Sequence, residues 1–421
     1  MQKKDFLNDL GKLIAIPSVK SAPQTGMPFG EGPAAALRFM LGLANDMGFE
    51  TVNYDNYIGE VVYGDGDKTM GILCHLDVVP EGNGWHYPAF AATIVDDRIY
   101  GRGTMDDKTP ALICLYALKQ LKDEGFVPNC KIKLILGTDE ESGWGCIDHY
   151  LKVAKMPDFG FSPDADFPVI YAEKGIMHLT FRFAPLSCGR EIYGGDRPNM
   201  VCARAYLKAD VDEKTLATRG LFVENDAIVS VGKNAHGSTP HLGVNAIPAL
   251  LSVLSDLGED VSPIIEGLFQ DKYGLKTLED ETGKLTMSPN LIRSDETGVY
   301  LTVDIRYPAT LSRETVLSIA KNIAPFTIEH EQAPLFNDKE SFLIKTLLSV
   351  YEEVSGKPAK AIAIGGGTYA RALPIGAAFG PELPDAENTV HQPDEYVTME
   401  TIDFMYDCYL KAILRLTKSN H

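Results

Sequence analysis

The stretch GILCHLDVV, residues 71–79, is a short apolar run of strand type that ends on a histidine and an aspartate. Side chains alternate faces along a strand, so His75 and Asp77 point one way and Cys74 and Leu76 the other. Asp77 is thereby placed to hold one imidazole nitrogen of His75 while the other binds a metal. A purely structural His–Asp pair has the same spacing. Alternation argues against Cys74 as a soft ligand beside that histidine.

Downstream, DDKTPALICLYALKQLKDEGF (106–126) carries Leu112, Leu115, Leu118 and Leu121 at helical spacing, with Gly125 near its end. KIKLILGT (131–138) reads as a second strand, a helix follows through 147–153, and DFGFSPDAD (158–166) reads as a strand and loop. This alternation predicts an α/β fold with a mostly parallel sheet covered by helices. Ligands of such sheets collect beyond the carboxyl ends of the strands.

After about Lys174 the pattern changes. HLTFRF (178–183), IVSVGKNA (228–235) and VYLTVDIRYP (299–308) look like amphipathic strands, with helices predicted in 241–258 and 312–324. These point to a separate α+β domain. QDKYGLKTLEDETGK (270–284) is polar and is expected to be an exposed loop. From Phe336 the α/β pattern resumes, with a helix over 341–354, strands at 361–367 and 376–380, and a last helix from Met399. If His391 completes a site begun by His75, the first domain is discontinuous, 1–175 and 334–421, and 176–333 is an insertion.

The 421 residues suit two or three domains with a large core. A formal net charge of −19 repels a phosphate backbone, so nucleic acid is excluded as a partner. No apolar run approaches the roughly 20 residues that span a bilayer. The first residues read as an amphipathic helix with Phe6, Leu7, Leu10 and Leu13 on one face, not as a signal peptide. Seven scattered cysteines without a CxxC fit a reduced, cytoplasmic protein.

Metal-ligand residue types recur in five places: His75 with Asp77, Asp106 with Asp107, Asp139 through Glu141, Asp164 with Asp166, and His391. Each alone is ordinary. Asp106 and Asp107 open a helix, where carboxylates are favoured. Adjacent glutamates are common on surfaces, Asp164 suits an Asx turn, and His391 suits a loop. Together they imply more, because buried carboxylates must be neutralised. Two histidines and three carboxylates suit a pair of borderline cations with one carboxylate bridging. Such a pair, about 3.5–4 Å apart, serves hydrolysis, and the leftover glutamate of the Glu140-Glu141 pair is free to take a proton from water.

The motifs HLDVVP (75–80), YGRGTMDDK (100–108), GTDEESGWG (137–145), FSPDADFPVIYAEKG (161–175), NAHGSTPHLGVNA (234–246), GGGTYAR (365–371) and VHQPDE (390–395) run through nearly the whole chain. In this order they resemble the dinuclear-zinc aminoacylase and carboxypeptidase G superfamily, and within it the peptidase V-like dipeptidases. The resemblance implies a zinc-exopeptidase-like catalytic domain with an inserted α+β lid. It implies that Asp106 bridges two metals, that His75 and Asp164 complete one site and Glu141 and His391 the other, that Glu140 is the general base and acid, and that Asp77 orients His75. It further implies a cis peptide between Asp106 and Asp107. His236 is matched to a lid histidine that donates to the scissile carbonyl oxygen, and Arg306 to a lid arginine suited to a substrate carboxylate. Asn199, the backbone of Gly366, Gly367 and Thr368, and Arg371 are further candidates for that pocket. The chain departs from the family pattern at Thr109 and Cys74, each where glycine is usual. Its middle block looks shorter than in full-length relatives, which leaves monomer and homodimer both open.

The expected activity is metal-dependent hydrolysis of dipeptides or short peptides with a free carboxylate. Zinc is the expected cation, and manganese and cobalt suit the same ligands. An N-acyl amino acid amidohydrolase on the same machinery is the alternative, and a non-catalytic metal-binding relative is a third reading. A calcium-stabilised module is disfavoured by the histidines.

Overall fold

The computed structural model describes residues 2–211 and 216–418. The chain divides into two compact units. One comprises Met1–Tyr171, Asn337–Ile362 and Gly367–His421; the other comprises Ala172–Phe336 and Ala363–Gly366.

The first unit is built on strands β1 (Glu50–Tyr54), β2 (Ile58–Tyr63), β3 (Thr69–His75), β4 (Lys131–Gly137), β5 (Phe159–Ser162), β6 (Ile170–Glu173) and β7 (Gly376–Ala378), in the spatial order β1-β2-β4-β3-β5-β7-β6. The pairings of β3 with β4, β3 with β5 and β5 with β7 are parallel. Those of β1 with β2, β2 with β4 and β7 with β6 are antiparallel. The expected parallel sheet is therefore confined to the four central strands. The β1–β2 hairpin adds an antiparallel margin, and its loop places Asp55 and Asn56 at φ 54° and 59°, a conformation these two residue types tolerate. A direct hairpin of this kind can only be antiparallel.

The helices of this unit are α1 (Lys3–Ile14), α2 (Glu31–Asp46), α3 (Lys108–Asp123), α4 (Gly145–Val153), α5 (Phe342–Ser355) and α6 (Met399–Lys418). Helix α3 is buried along most of its length because it packs on β3 and β4 while α1 and α6 cover its outer side. Its end is fixed by Gly125 at φ 72°, with the Phe126 N–H donating to the Leu121 carbonyl. Cys74 faces α3, next to Cys114, and His75 faces the other side, where its ring meets Tyr369 edge-on at 6.2 Å. Strand alternation thus separates these neighbours as their sequence implies. On the His75 side, Leu73, Ile135 and Ile58 form a core with Cys146, Ile147 and Tyr150 of α4 and with Tyr369.

The second unit is an eight-stranded, wholly antiparallel sheet. Its order is Phe222–Glu224, Ala227–Val231, Arg204–Lys208, Glu191–Gly194, Thr286–Asp295, Gly298–Tyr307, Gly175–Phe183, Phe326–Gln332. Two four-stranded halves meet along a short seam, Tyr193 opposite Arg293 and Gly194 opposite Ile292. One half buries its apolar face with helix Ile247–Asp256, the other with helix Arg313–Ala320, in a continuous core that includes Leu207, Leu250, Leu254, Leu301, Val303 and Val316. The stretch 270–284, expected to be an exposed loop, instead buries Leu275 in this core and forms the small ribbon Glu279–Asp280 with Gly283–Lys284. Its apolar residues are too sparse to show periodicity, so the sequence alone reads as a polar loop.

Candidate metal centre

The carboxyl ends of β3, β4 and β5 lead directly into the residues of interest. β3 ends on His75, β4 leads through Thr138 to Glu140 and Glu141, and β5 leads to Asp164. Asp106 precedes α3, and His391 follows β7 on a loop where it adopts φ 62°. The peptide between Asp106 and Asp107 is cis.

These residues converge. Asp106 places Oδ1 2.7 Å from His75 Nε2 and Oδ2 2.9 Å from His391 Nε2, so one carboxylate carries an imidazole on each oxygen. His75 Nε2 lies 3.6 Å from Asp164 Oδ1, and His391 Nε2 lies 3.0 Å from Glu141 Oε1. Two groups have potential ligand atoms all within 4.8 Å of one another: His75, Glu140 and Asp164, and Asp106, Glu141 and His391. Glu140 lies with the first group, and its Oε1 accepts from the Trp144 indole at 3.2 Å.

The electrostatics follow from crowding. Burial pushes Glu140 well above the usual carboxylate range, and the Asp164 charge adds to it. Burial and Asp106 push Glu141 up to about 7, and burial pushes Asp164 up to about 6. Burial works against a charged His391, yet Asp106 and Glu141 raise it to about 11. His75 is raised in the same way, chiefly by Asp164 and Asp106. Asp106 is held low, because its two imidazole partners outweigh its burial. Four carboxylates and two imidazoles on nitrogen- and oxygen-donor sites match the charge and chemistry of two divalent cations. The residues present fit such a pair.

Asp77 touches both His75 and the two glutamates. His75 Nδ1 meets the Asp77 backbone carbonyl at 2.9 Å, while the Asp77 carboxylate lies 3.6 Å away. The carboxylate instead accepts the N–H groups of Glu140 and Glu141 at 3.0 and 3.1 Å. Asp77 thus meets His75 through its main chain and the two glutamates through its side chain. Asp139 is structural: it accepts from Lys20, Ser142 and the Gly145 N–H, which shapes the turn that carries the glutamates.

Four of the remaining sequence-derived residues lie in the second unit. His236 is exposed, with Nδ1 2.6 Å from Ser238 Oγ. The Asn199 carbonyl accepts from Gly237 N at 2.7 Å, and a side chain at Gly237 would strike Asp304 Oδ2 at 2.1 Å, so glycine is required beside His236. Arg306 is not the open fork expected. Its Nε and Nη2 hold both oxygens of buried Asp304 at 2.7 and 2.9 Å, and Nη1 donates to the Gly365 carbonyl. The reason is on the strand itself, since residues two apart share a face. Gly366 belongs to this unit as well. In the first unit, Thr368 caps the turn Tyr369–Ala372 by accepting from Ala370 N, and the Arg371 guanidinium lies so close over Gly367 that a Cβ there would be 2.4 Å from Nη2.

Sequence reasoning passes over several buried partners of this centre. Lys108, pulled down to about 7 by burial, donates to the Leu13 and Ile16 carbonyls at the end of α1. Tyr369 packs against Gly137 and places its hydroxyl 2.8 Å from Cys146 Sγ. Arg102 and Glu395 form a buried pair. All three cases lie inside the quoted motifs, but nothing in spacing alone marks a side chain as buried.

Residues 71–415 match Peptidase family M20/M25/M40. The chain is 36% identical to the putative dipeptidase YtjP of Bacillus subtilis over 454 aligned residues, covering 99% of this chain and 98% of the relative. It is 34% identical to the Beta-Ala-Xaa dipeptidase of Lactobacillus delbrueckii subsp. lactis over 460 residues, covering 99% and 97%. The fold is similar to that of the M20 family metallo-carboxypeptidase Sso-CP2 from Sulfolobus solfataricus, with a TM-score of 0.61, 17% identity, and 98% and 99% of the two chains covered. No helix among the described residues is long and apolar enough to cross a membrane. A match that begins at Gly71 in β3 and runs past His391 takes in every segment that meets at this centre, and the chain belongs to peptidase family M20/M25/M40, as a metal-dependent hydrolase of peptide bonds.

Proposed function

We propose that this chain is a dipeptidase in which His75 and Asp164 hold one divalent cation, Glu141 and His391 hold a second, and Asp106 lies between them. Zinc is the proposed cation, with manganese and cobalt compatible with the same donors. Bound there, the cations supply Lewis acidity, which lowers the pKa of a water toward neutrality and polarises the scissile carbonyl. Glu140 takes the proton from that water and returns it to the leaving amine. Its carboxylate lies with the first ligand group and accepts from the Trp144 indole, which limits its swing.

The observation that carries this reading is the Asp106 carboxylate with a histidine on each oxygen. The dipeptidase names of the relatives support the substrate class. On this reading the first unit is the catalytic domain and the second a lid. His236 donates to the carbonyl oxygen, while Asn199, the Gly366 to Thr368 backbone and Arg371 contact the substrate carboxylate.

The test is a panel of dipeptides and matching N-acetylated amino acids on metal-stripped protein, with each cation added back. Turnover of dipeptides only is expected, and turnover of the N-acetyl compounds alone would make the chain an amidohydrolase. Glu140→Gln should retain its cations and lose about 10²–10⁴-fold in kcat. A variant that stays nearly fully active refutes the role of Glu140.

A further inference from the structure

We propose that Glu395, paired with Arg102, is a positioning residue that locks the Asp106 segment and the His391 segment into one frame, so that the second cation site depends on it. This rests on the two-cation reading above. Glu395 is 0% exposed and Arg102 1%. Glu395 Oε1 accepts the N–H groups of Gly103 and Met105 at 3.1 and 2.8 Å, and that of Asp106 at 3.4 Å. Its Oε2 takes Arg102 Nη1 at 2.7 Å. One carboxylate from the His391 loop therefore gathers the backbone that presents Asp106.

Arg102 extends the frame in two directions. Nη1 also donates to the carbonyl of Gln392, next to His391, at 3.2 Å. Nη2 reaches the carbonyls of Pro80 and Glu81, in the segment that begins with His75, at 3.4 and 3.3 Å. Three ligand-bearing segments are thus tied to one buried ion pair. His391 has the greatest need of it, because its side chain is 46% exposed, although Asp394 of the same loop also accepts from the His86 and Tyr87 N–H groups. Neither Arg102 nor Glu395 belongs to either group of potential ligands, so their effect acts through ligand placement.

The experiment is a cobalt titration of metal-stripped protein, followed by visible absorption, with the melting temperature of the metal-free protein recorded alongside. The band lost in His391→Ala identifies the second cation. Glu395→Ala should weaken that cation by about 10–100-fold while the first is much less affected. Glu395→Gln keeps an acceptor oxygen for Gly103 and Met105 but turns an NH2 toward Arg102 Nη1, so it should restore part of the affinity. The proposal is overturned if Glu395→Ala binds both cations as wild type does. It is also overturned if both affinities fall together with the melting temperature and Glu395→Gln gives no rescue, which is the signature of a merely structural pair. Wild-type protein that takes up no cation removes the metal centre itself, a failure distinct from the other two.

Discussion

Loading the centre with cations should expel protons, and the number follows from the geometry. Metal ligation requires neutral imidazoles and ionised carboxylates. In the metal-free protein His391 is raised to about 11 and His75 well above its ordinary value, so both rings are charged near neutral pH. Glu141, at about 7, is roughly one-quarter protonated at a pH of about 7.5, while Asp164, at about 6, is almost fully ionised. Two cations should therefore release about two protons from the imidazoles, plus a fraction from Glu141; Glu140, raised by the same crowding, adds up to about one more. The assay is calorimetric titration of metal-stripped protein with zinc in buffers of different ionisation enthalpy at one pH. The same proton release makes the overall affinity rise with pH near neutrality. His391→Ala should remove about one proton from the total. Release of fewer than about one proton by the wild type would mean that the two imidazoles are neutral at rest, and the argument from Asp106 would fail.

Metal-free protein should lose stability as pH rises from about 5 to 8. Glu141, Asp164 and His391 all have folded-state pKa values raised above the ordinary 4.5, 3.8 and 6.5, so their contribution is full below those ordinary values and is lost as pH rises through about 7, 6 and 11. Melting temperatures with and without chelator across that window check the sign, and a chelated protein that grows more stable toward pH 8 contradicts it. Gly137→Ala should destabilise the first unit by about 1–3 kcal/mol, because a Cβ there would lie 2.6 Å from the ring and hydroxyl of Tyr369, itself fixed by Trp144 and Cys146. Denaturant unfolding measures it, and an unchanged midpoint would show that Tyr369 can yield.

The candidate ligands were legible in the sequence because chemistry restricts their residue types. Histidine and carboxylate types at the carboxyl ends of apolar strands have few other reasons to recur together, and the parallel centre of the sheet brings those ends to one place. The antiparallel margin was not legible, since ETVNY and IGEVVY are short and their loop residues Asp55 and Asn56 suit many turns. The pairing of Arg306 was not drawn from the sequence although the signal was present. Asp304 stands two residues before it on the same strand face, which makes an internal pair the simplest fate of its fork.

The roles of Asp77 and Glu395 were hidden for a deeper reason. A metal ligand is defined by its own donor atoms, so its type nearly announces it. A positioning residue is defined by the backbone groups it reaches, and those depend on how segments far apart in the chain come to lie together. Asp77 meets His75 with its carbonyl and the glutamates with its carboxylate, a division that alternation along β3 cannot specify. Glu395 binds a backbone nearly three hundred residues away. Its four-residue distance from His391 nevertheless has a physical logic. The loop that carries the half-exposed candidate ligand His391 also carries, within the same short span, the buried carboxylate that accepts from Gly103 and Met105, so on the proposed reading the left-handed turn at His391 and the Asp106 segment share one anchor.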